Sequence, residues 1–214
     1  MLETIRLRVG IPGETKLNKA APYLRPVGLS GIPRADAAIA RTIETLRSTQ
    51  FEQDPLFDAM DSFRLSLCNS AIKREGIIIE AAIKDAVEQT DHLRLLSVDR
   101  RAGRIPDVQF EVKATGWIVA LEIKRGSQHD STKLRQFRAD LTQIPLLLRT
   151  ALPLFPAENV RFHIVFVSGE PRLPEGLRPE DLGRLYGLHI RSHVLTARQR
   201  YSAAIKAVLR ERGL

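Results

Sequence analysis

Asp107, Glu122 and Lys124 have the residue types and the spacing to do chemistry together. In the strand-like stretch Trp117 to Lys124, Trp117, Val119, Leu121 and Ile123 share one face, and Ile118, Ala120, Glu122 and Lys124 share the other. A carboxylate and an ammonium therefore leave an apolar strand on the same side. The preceding stretch, Pro106 to Lys113, sets Val108, Phe110 and Val112 against Asp107, Gln109, Glu111 and Lys113. The link Ala114-Thr115-Gly116 is short enough for a hairpin. Fourteen residues separate Asp107 from Glu122, an even number, so a hairpin with an even-length loop puts both carboxylates on one sheet face. A turn centred between Ala114 and Thr115 makes them cross-strand neighbours, with Cβ atoms ~5 Å apart.

Two carboxylates at that separation repel, and they stay ionised in a partly buried place only with a cation between them. Hard oxygen donors select Mg²⁺, or Mn²⁺ as a substitute, over zinc. Lys124 beside them can hold an attacking water and screen negative charge developing on a phosphate, with the metal acting as Lewis acid. In outline this is metal-assisted phosphodiester hydrolysis.

The elements around these residues follow from periodicity. A helix from about Ser70 to Gln89 carries Ile72, Ile79, Ile83 and Ala86 on one face. Strands follow at Leu93–Asp99, Pro106–Lys113 and Trp117–Lys124, then a helix from about Ser131 to Leu152 that Pro145 should kink or break, then a strand at Val160–Val167. Earlier, Thr4–Val9 alternates like a short strand, and the Pro- and Gly-rich Gly10–Arg34 reads as an irregular arm. Asp36 is placed to cap a helix through Ile39, Ile43 and Leu46, and Pro55 to open another through about Leu67. Near the end, Pro179 starts a short helix that stops before Gly187, Leu188–Leu195 alternates like a strand, and Ala197–Arg212 is a basic amphipathic helix. These elements divide the chain into an N-terminal arm and mostly helical accessory region (1–66), a core (67–170) and a C-terminal extension (171–214).

Pro106-Asp107, fourteen residues, then Glu122-Ile123-Lys124 resembles the PD-(D/E)xK motif of the restriction-endonuclease-like nucleases. The order helix, three strands, helix, strand over about residues 70 to 168 is similar to the core of that family. The resemblance implies an α/β fold, a mixed central sheet flanked by helices, and Mg²⁺-dependent cutting of nucleic acid. Asp107, Glu122 and the main-chain carbonyl of Ile123 look like the metal ligands, and Lys124 looks like the residue that positions water. Glu80 fits the place of a glutamate that many members add from the first core helix, with Glu75 and Glu88 as substitutes. Gln128, Lys133 and Gln136 lie where several members keep a supporting Gln or Lys. Glu111-Val112-Lys113 is a second E-x-K triplet, but the acid upstream of it, Asp99, lacks a preceding proline and is separated from it by eleven residues, an odd number.

Composition agrees with a polyanionic partner. Lys and Arg number 33 against 25 Asp and Glu, a formal charge of +8, and 25 of the 33 are Arg, whose planar fork suits phosphates and guanine edges. The few aromatic residues favour a duplex over a single strand as ligand. Arg191, Arg198, Lys206 and Arg210 are the DNA-binding candidates; His189 and His193, placed with Arg191 on one strand face, stand ~13 Å apart, too far for one metal. Cys68 is alone, which excludes an internal disulfide, and there is no Cys/His cluster at zinc spacing. No apolar run has the length of a membrane span, and the sequence predicts a soluble cytoplasmic protein.

The functional expectation is a Mg²⁺-dependent endonuclease of duplex DNA, by analogy a type II restriction endonuclease working as a homodimer on a palindrome. A repair, junction-resolving or mobile-element nuclease on the same core, and a non-catalytic DNA-binding protein, are the alternatives.

Overall fold

The computed structural model describes residues 31–48, 55–97, 106–126, 135, 136, 138, 139, 143, 159–169, 171 and 176–213. The chain separates into units 1–30 and 31–214, and all the described residues lie in the second. Among them the architecture is α/β, with four helices and one mixed five-stranded sheet. The Thr4–Val9 strand, the arm up to residue 30, most of the Ser131–Leu152 helix and its Pro145 break lie outside the described residues. Residues 135, 136, 138, 139 and 143 are helical.

Helix α1 (Pro33–Ser48) buries Ala35, Ile39, Ile43 and Leu46. Asp36 does not cap it. Proline at the first position starts the helix three residues earlier, so Asp36 sits in the first turn and pairs with Arg200 at 2.5 Å. The open amides of the first turn are met from a distance instead: the N–H groups of Arg34 and Ala35 donate to the two carboxylate oxygens of buried Asp85, at 3.1 and 3.0 Å.

Helix α2 (Ala59–Glu88) is continuous over 30 residues, where the sequence reading had two helices meeting near Leu67. Its N-cap is Asp58, whose carboxylate accepts from the amide of Asp61 at 2.8 Å, and Pro55 lies upstream of it. The polar pair Asn69-Ser70 lowers helix propensity without breaking the backbone pattern. Leu67, Ala71, Ile78 and Ala82 pack against α1 and the last helix, with buried Glu75 between Ala71 and Ile78, while Ile79, Ile83, Ala86 and Val87 pack against the sheet. The boundary drawn at residue 66 falls inside this helix, and α1, read as accessory, shares a core with it.

Strands β1 (Leu93–Leu95), β2 (Val108–Val112) and β3 (Trp117–Lys124) form an antiparallel meander; β4 (Val160–Phe166) and β5 (Gly176–Leu177) join parallel to β3 and β4, giving the order β1-β2-β3-β4-β5. β1 is shorter than the Leu93–Asp99 stretch expected. Val108, Phe110, Val119, Leu121 and Val165 form the sheet's share of the α2 core, and Ala120, Val160 and Phe162 pack together on the opposite face.

Helix α3 (Pro179–Tyr186) ends at Gly187, whose φ of 64° is the left-handed stop of a helix; a Cβ there would meet the His92 ring at 2.9 Å. The strand expected over Leu188–Leu195 does not form, because helix α4 runs Arg191–Glu211. Leu188 and Ile190 are buried and mimic strand alternation. Val194, Ala197, Tyr201, Ile205 and Val208, however, hold helical spacing and pull residues 191–195 into α4.

Candidate active site

The β2–β3 hairpin brings the two carboxylates together by register. Val108 stands opposite Leu121 and Val112 opposite Trp117, with residues 113 to 116 as the loop, so the ladder continued by one residue sets Asp107 opposite Glu122. The turn is centred between Ala114 and Thr115, and Gly116 takes a φ of 68°. Asp107 Oδ2 accepts the amide N–H of Ile123 at 2.7 Å, which ties the start of β2 to the end of β3. That bond also fixes the backbone of Ile123, whose carbonyl belongs to the peptide leading to Lys124.

Glu122 is only 8% exposed, and Lys124 Nζ donates to its Oε1 at 2.6 Å. The pair leaves β3 on one face, as the alternation required. Burial pushes the Asp107 carboxyl up from 3.8 to about 6; the negative charge of Glu122 adds to this, the Ile123 N–H opposes it, Glu80 raises it further and Lys124 lowers it. Glu80, from α2, therefore lies within electrostatic reach of Asp107. Its own carboxylate accepts from Lys84 Nζ at 2.5 Å, one helical turn on.

Of the alternatives to Glu80, neither lies at this site. Glu75 is buried between Arg125, Nη1 at 3.4 Å, and Arg198, Nε at 2.9 Å. Glu88, at the other end of α2, is bonded by Arg34. The second triplet is used structurally: Glu111 pairs with Arg94 across β1–β2, and Lys113 Nζ donates to the carbonyl of Asp91 at 2.6 Å. Asp99 lies outside the described residues.

The donors are all oxygen, and burial and the neighbouring carboxylates destabilise the negative charge on Asp107, which a dication would relieve, so the residues fit a hard divalent metal. Among the described residues no three His, Cys, Asp or Glu side chains stand together as a ready-made metal cage. Glu122 and Glu80 each lean on a lysine of their own element, and a metal shared with Asp107 would draw them off those partners.

The expected supporting and DNA-binding residues fare unevenly. Gln128 and Lys133 lie outside the described residues, and Gln136 is exposed on a helical segment. Arg198 is 11% exposed and held by Glu75, so it does not present itself to DNA. Arg191 opens α4 and pairs with Glu180 at 3.1 Å; Lys206 and Arg210 are exposed on the same helix. His193 is buried and bonds Gln89 at 3.1 Å, whereas His189 is exposed, so the two do not share a face. Cys68 is half-buried, and that burial raises its thiol pKa. Sequence reasoning passed over Arg125, which directly follows the Glu-Ile-Lys triplet and by alternation faces α2. Its position next to Lys124 was the available signal.

No protein-family model matches this chain, and no curated protein or solved structure shows significant similarity to it. Among the described residues no helix is long and apolar enough to cross a membrane.

Proposed function

We propose that the chain is a Mg²⁺-dependent endonuclease with a restriction-endonuclease-like core, cutting duplex DNA as a homodimer in the manner of a type II restriction enzyme. The observation that carries this reading is that Asp107, one residue before the paired stretch of β2, accepts the Ile123 N–H at 2.7 Å, while Lys124 Nζ donates to the Glu122 carboxylate next to that same peptide at 2.6 Å. A fold has no need of a buried carboxylate beside a part-buried one held at a pKa of about 6, and structure alone would favour apolar residues there.

Asp107, Glu122 and the Ile123 carbonyl would hold the metal, with Glu80 as a further carboxylate. The bound metal supplies Lewis acidity toward a phosphate oxygen and lowers the pKa of water. The protein residues have separable roles. Asp107, anchored by the Ile123 N–H, fixes the geometry of the strand ends. Lys124 gives up Glu122 as its partner and turns its ammonium to the attacking water and the phosphate, where positive charge stabilises the pentacovalent state. The apolar strand around the pair lowers the local dielectric and strengthens both effects.

The test is incubation of the purified chain with supercoiled and linear plasmid, with Mg²⁺ or with EDTA. Discrete fragments that require Mg²⁺ support the restriction reading. Nicking or a smear moves the assignment to a repair, junction-resolving or mobile-element nuclease. Metal-independent binding with no cleavage of duplex, junction or single strand in Mg²⁺ or Mn²⁺ refutes catalysis and leaves a DNA-binding protein.

A further inference from the structure

On the α2 side of β3, just past Lys124, lies a second charged cluster that the hydrolytic scheme does not use. Arg125, the residue after Lys124, reaches across to α2, where its Nη1 donates to the carbonyl of Ile72 and stands 3.4 Å from Glu75 Oε2. Arg198 comes to the other oxygen of the same carboxylate from α4, at 2.9 Å. Two guanidinium groups thus share one buried carboxylate, and the cluster carries a net positive charge next to the end of β3.

The two arginines differ in access. Arg198 is 11% exposed and committed to the interior, whereas the Arg125 side chain is 39% exposed. Both side-chain contacts of Arg125 run through Nη1, and Nε and Nη2 take no partner among the described residues. The Arg125 carbonyl accepts from Ser168 Oγ just beyond β4, so its backbone is held as well. A guanidinium gripped through one nitrogen, 39% exposed and surplus in charge is preorganised to take a phosphate oxygen.

We infer that Arg125 is a phosphate-binding residue, contacting the backbone of the nucleic-acid strand next to the cleavage site, with Glu75 and Arg198 as the positioning residues that hold it. This rests on the nuclease reading and deepens it. A residue that only pins β3 to α2 would affect folding and leave phosphate binding alone.

The experiment measures binding of a fluorescent 30-base-pair duplex across a salt series, with Ca²⁺ in place of Mg²⁺, for wild type, Arg125→Gln and Arg47→Gln. Arg47 is a control whose guanidinium is engaged by Glu211 through two nitrogens. The expected result is a salt slope shallower by about 0.9 for Arg125→Gln, one phosphate contact's share, and unchanged for Arg47→Gln. Phenylglyoxal labelling of the wild-type chain reads the same contact without any variant. Arg125 should react in the free protein and lose several-fold in reactivity when duplex is added.

An unchanged slope in Arg125→Gln, an equal change in Arg47→Gln, or undiminished labelling of Arg125 under duplex overturns the assignment while leaving the nuclease reading intact. Failure of the wild type to bind any duplex overturns both.

Discussion

At the scale of single residues, Asp107 holds a charge at a cost to the fold. Its pKa is raised from 3.8 to about 6, so ionising it in the folded protein costs about 3 kcal/mol relative to the unfolded chain. The folded state binds the proton more tightly, so stability falls as pH rises from about 4 to about 6 and stays lower above that. Asp107→Asn keeps an oxygen for the Ile123 N–H and removes the charge. The variant is therefore expected to melt at a higher temperature than wild type at pH 8 without metal, with the difference vanishing near pH 4, in thermal denaturation followed by circular dichroism. Equal melting temperatures at pH 8 would contradict the crowding argument. Glu122 and Lys124 were legible as partners because alternation along a strand is strict and two residues of spacing decide the face. The fate of Arg198 was not, since Glu75 lies 123 positions away in sequence and only tertiary packing joins them.

At the scale of elements, long-range carboxylates tie the helices to each other and to the sheet. Asp85 of α2 serves two open amides at the start of α1, and Asp85→Ala is expected to cost about 2 kcal/mol, seen as a lower denaturation midpoint in urea. Glu75→Ala should cost more, about 3 to 5 kcal/mol, because it leaves the buried Arg198 without its counter-ion. Glu80→Ala on the same helix is expected to change stability by less than about 1 kcal/mol, since its partner Lys84 is partly exposed and one turn away, while lowering cleavage. Equal losses for Glu75 and Glu80 would refute the division between a structural and a functional glutamate. Strands β2 and β3, their hairpin and the short helix from Pro179 could be read because alternation, turn length, parity and proline are local signals, whereas the two-residue β5 is too short to leave such a signal. The continuity of α2 and the start of α4 could not. Asn69-Ser70 resembles a break until Leu67, Ala71 and Ala82 find a common partner, and Leu188 and Ile190 alternate like a strand although they only line the approach to a helix.

For the whole molecule, the formal charge of +8 overstates what is offered to a polyanion. Arg34, Arg47, Arg191, Arg198 and Arg200 all join different elements through Glu88, Glu211, Glu180, Glu75 and Asp36. Much of the arginine excess therefore serves as cross-links within the fold. A metal taken up by the native carboxylates and not by the unfolded chain raises stability, by about 2.7 kcal/mol at a hundred times its dissociation constant. The Mg²⁺-induced rise in melting temperature is expected to be larger at pH 8 than at pH 5, where Asp107 must first lose its proton, and to be lost in Glu122→Gln. An equal rise in that variant would place the metal elsewhere. The most direct test of the account as a whole compares wild type with Lys124→Ala on the same plasmid in Mg²⁺, with folding of both checked by circular dichroism. The account predicts Mg²⁺-dependent cleavage by the wild type and a loss of at least about a hundred-fold in the folded variant; cleavage at the wild-type rate without Lys124, or none by the wild type, would contradict it.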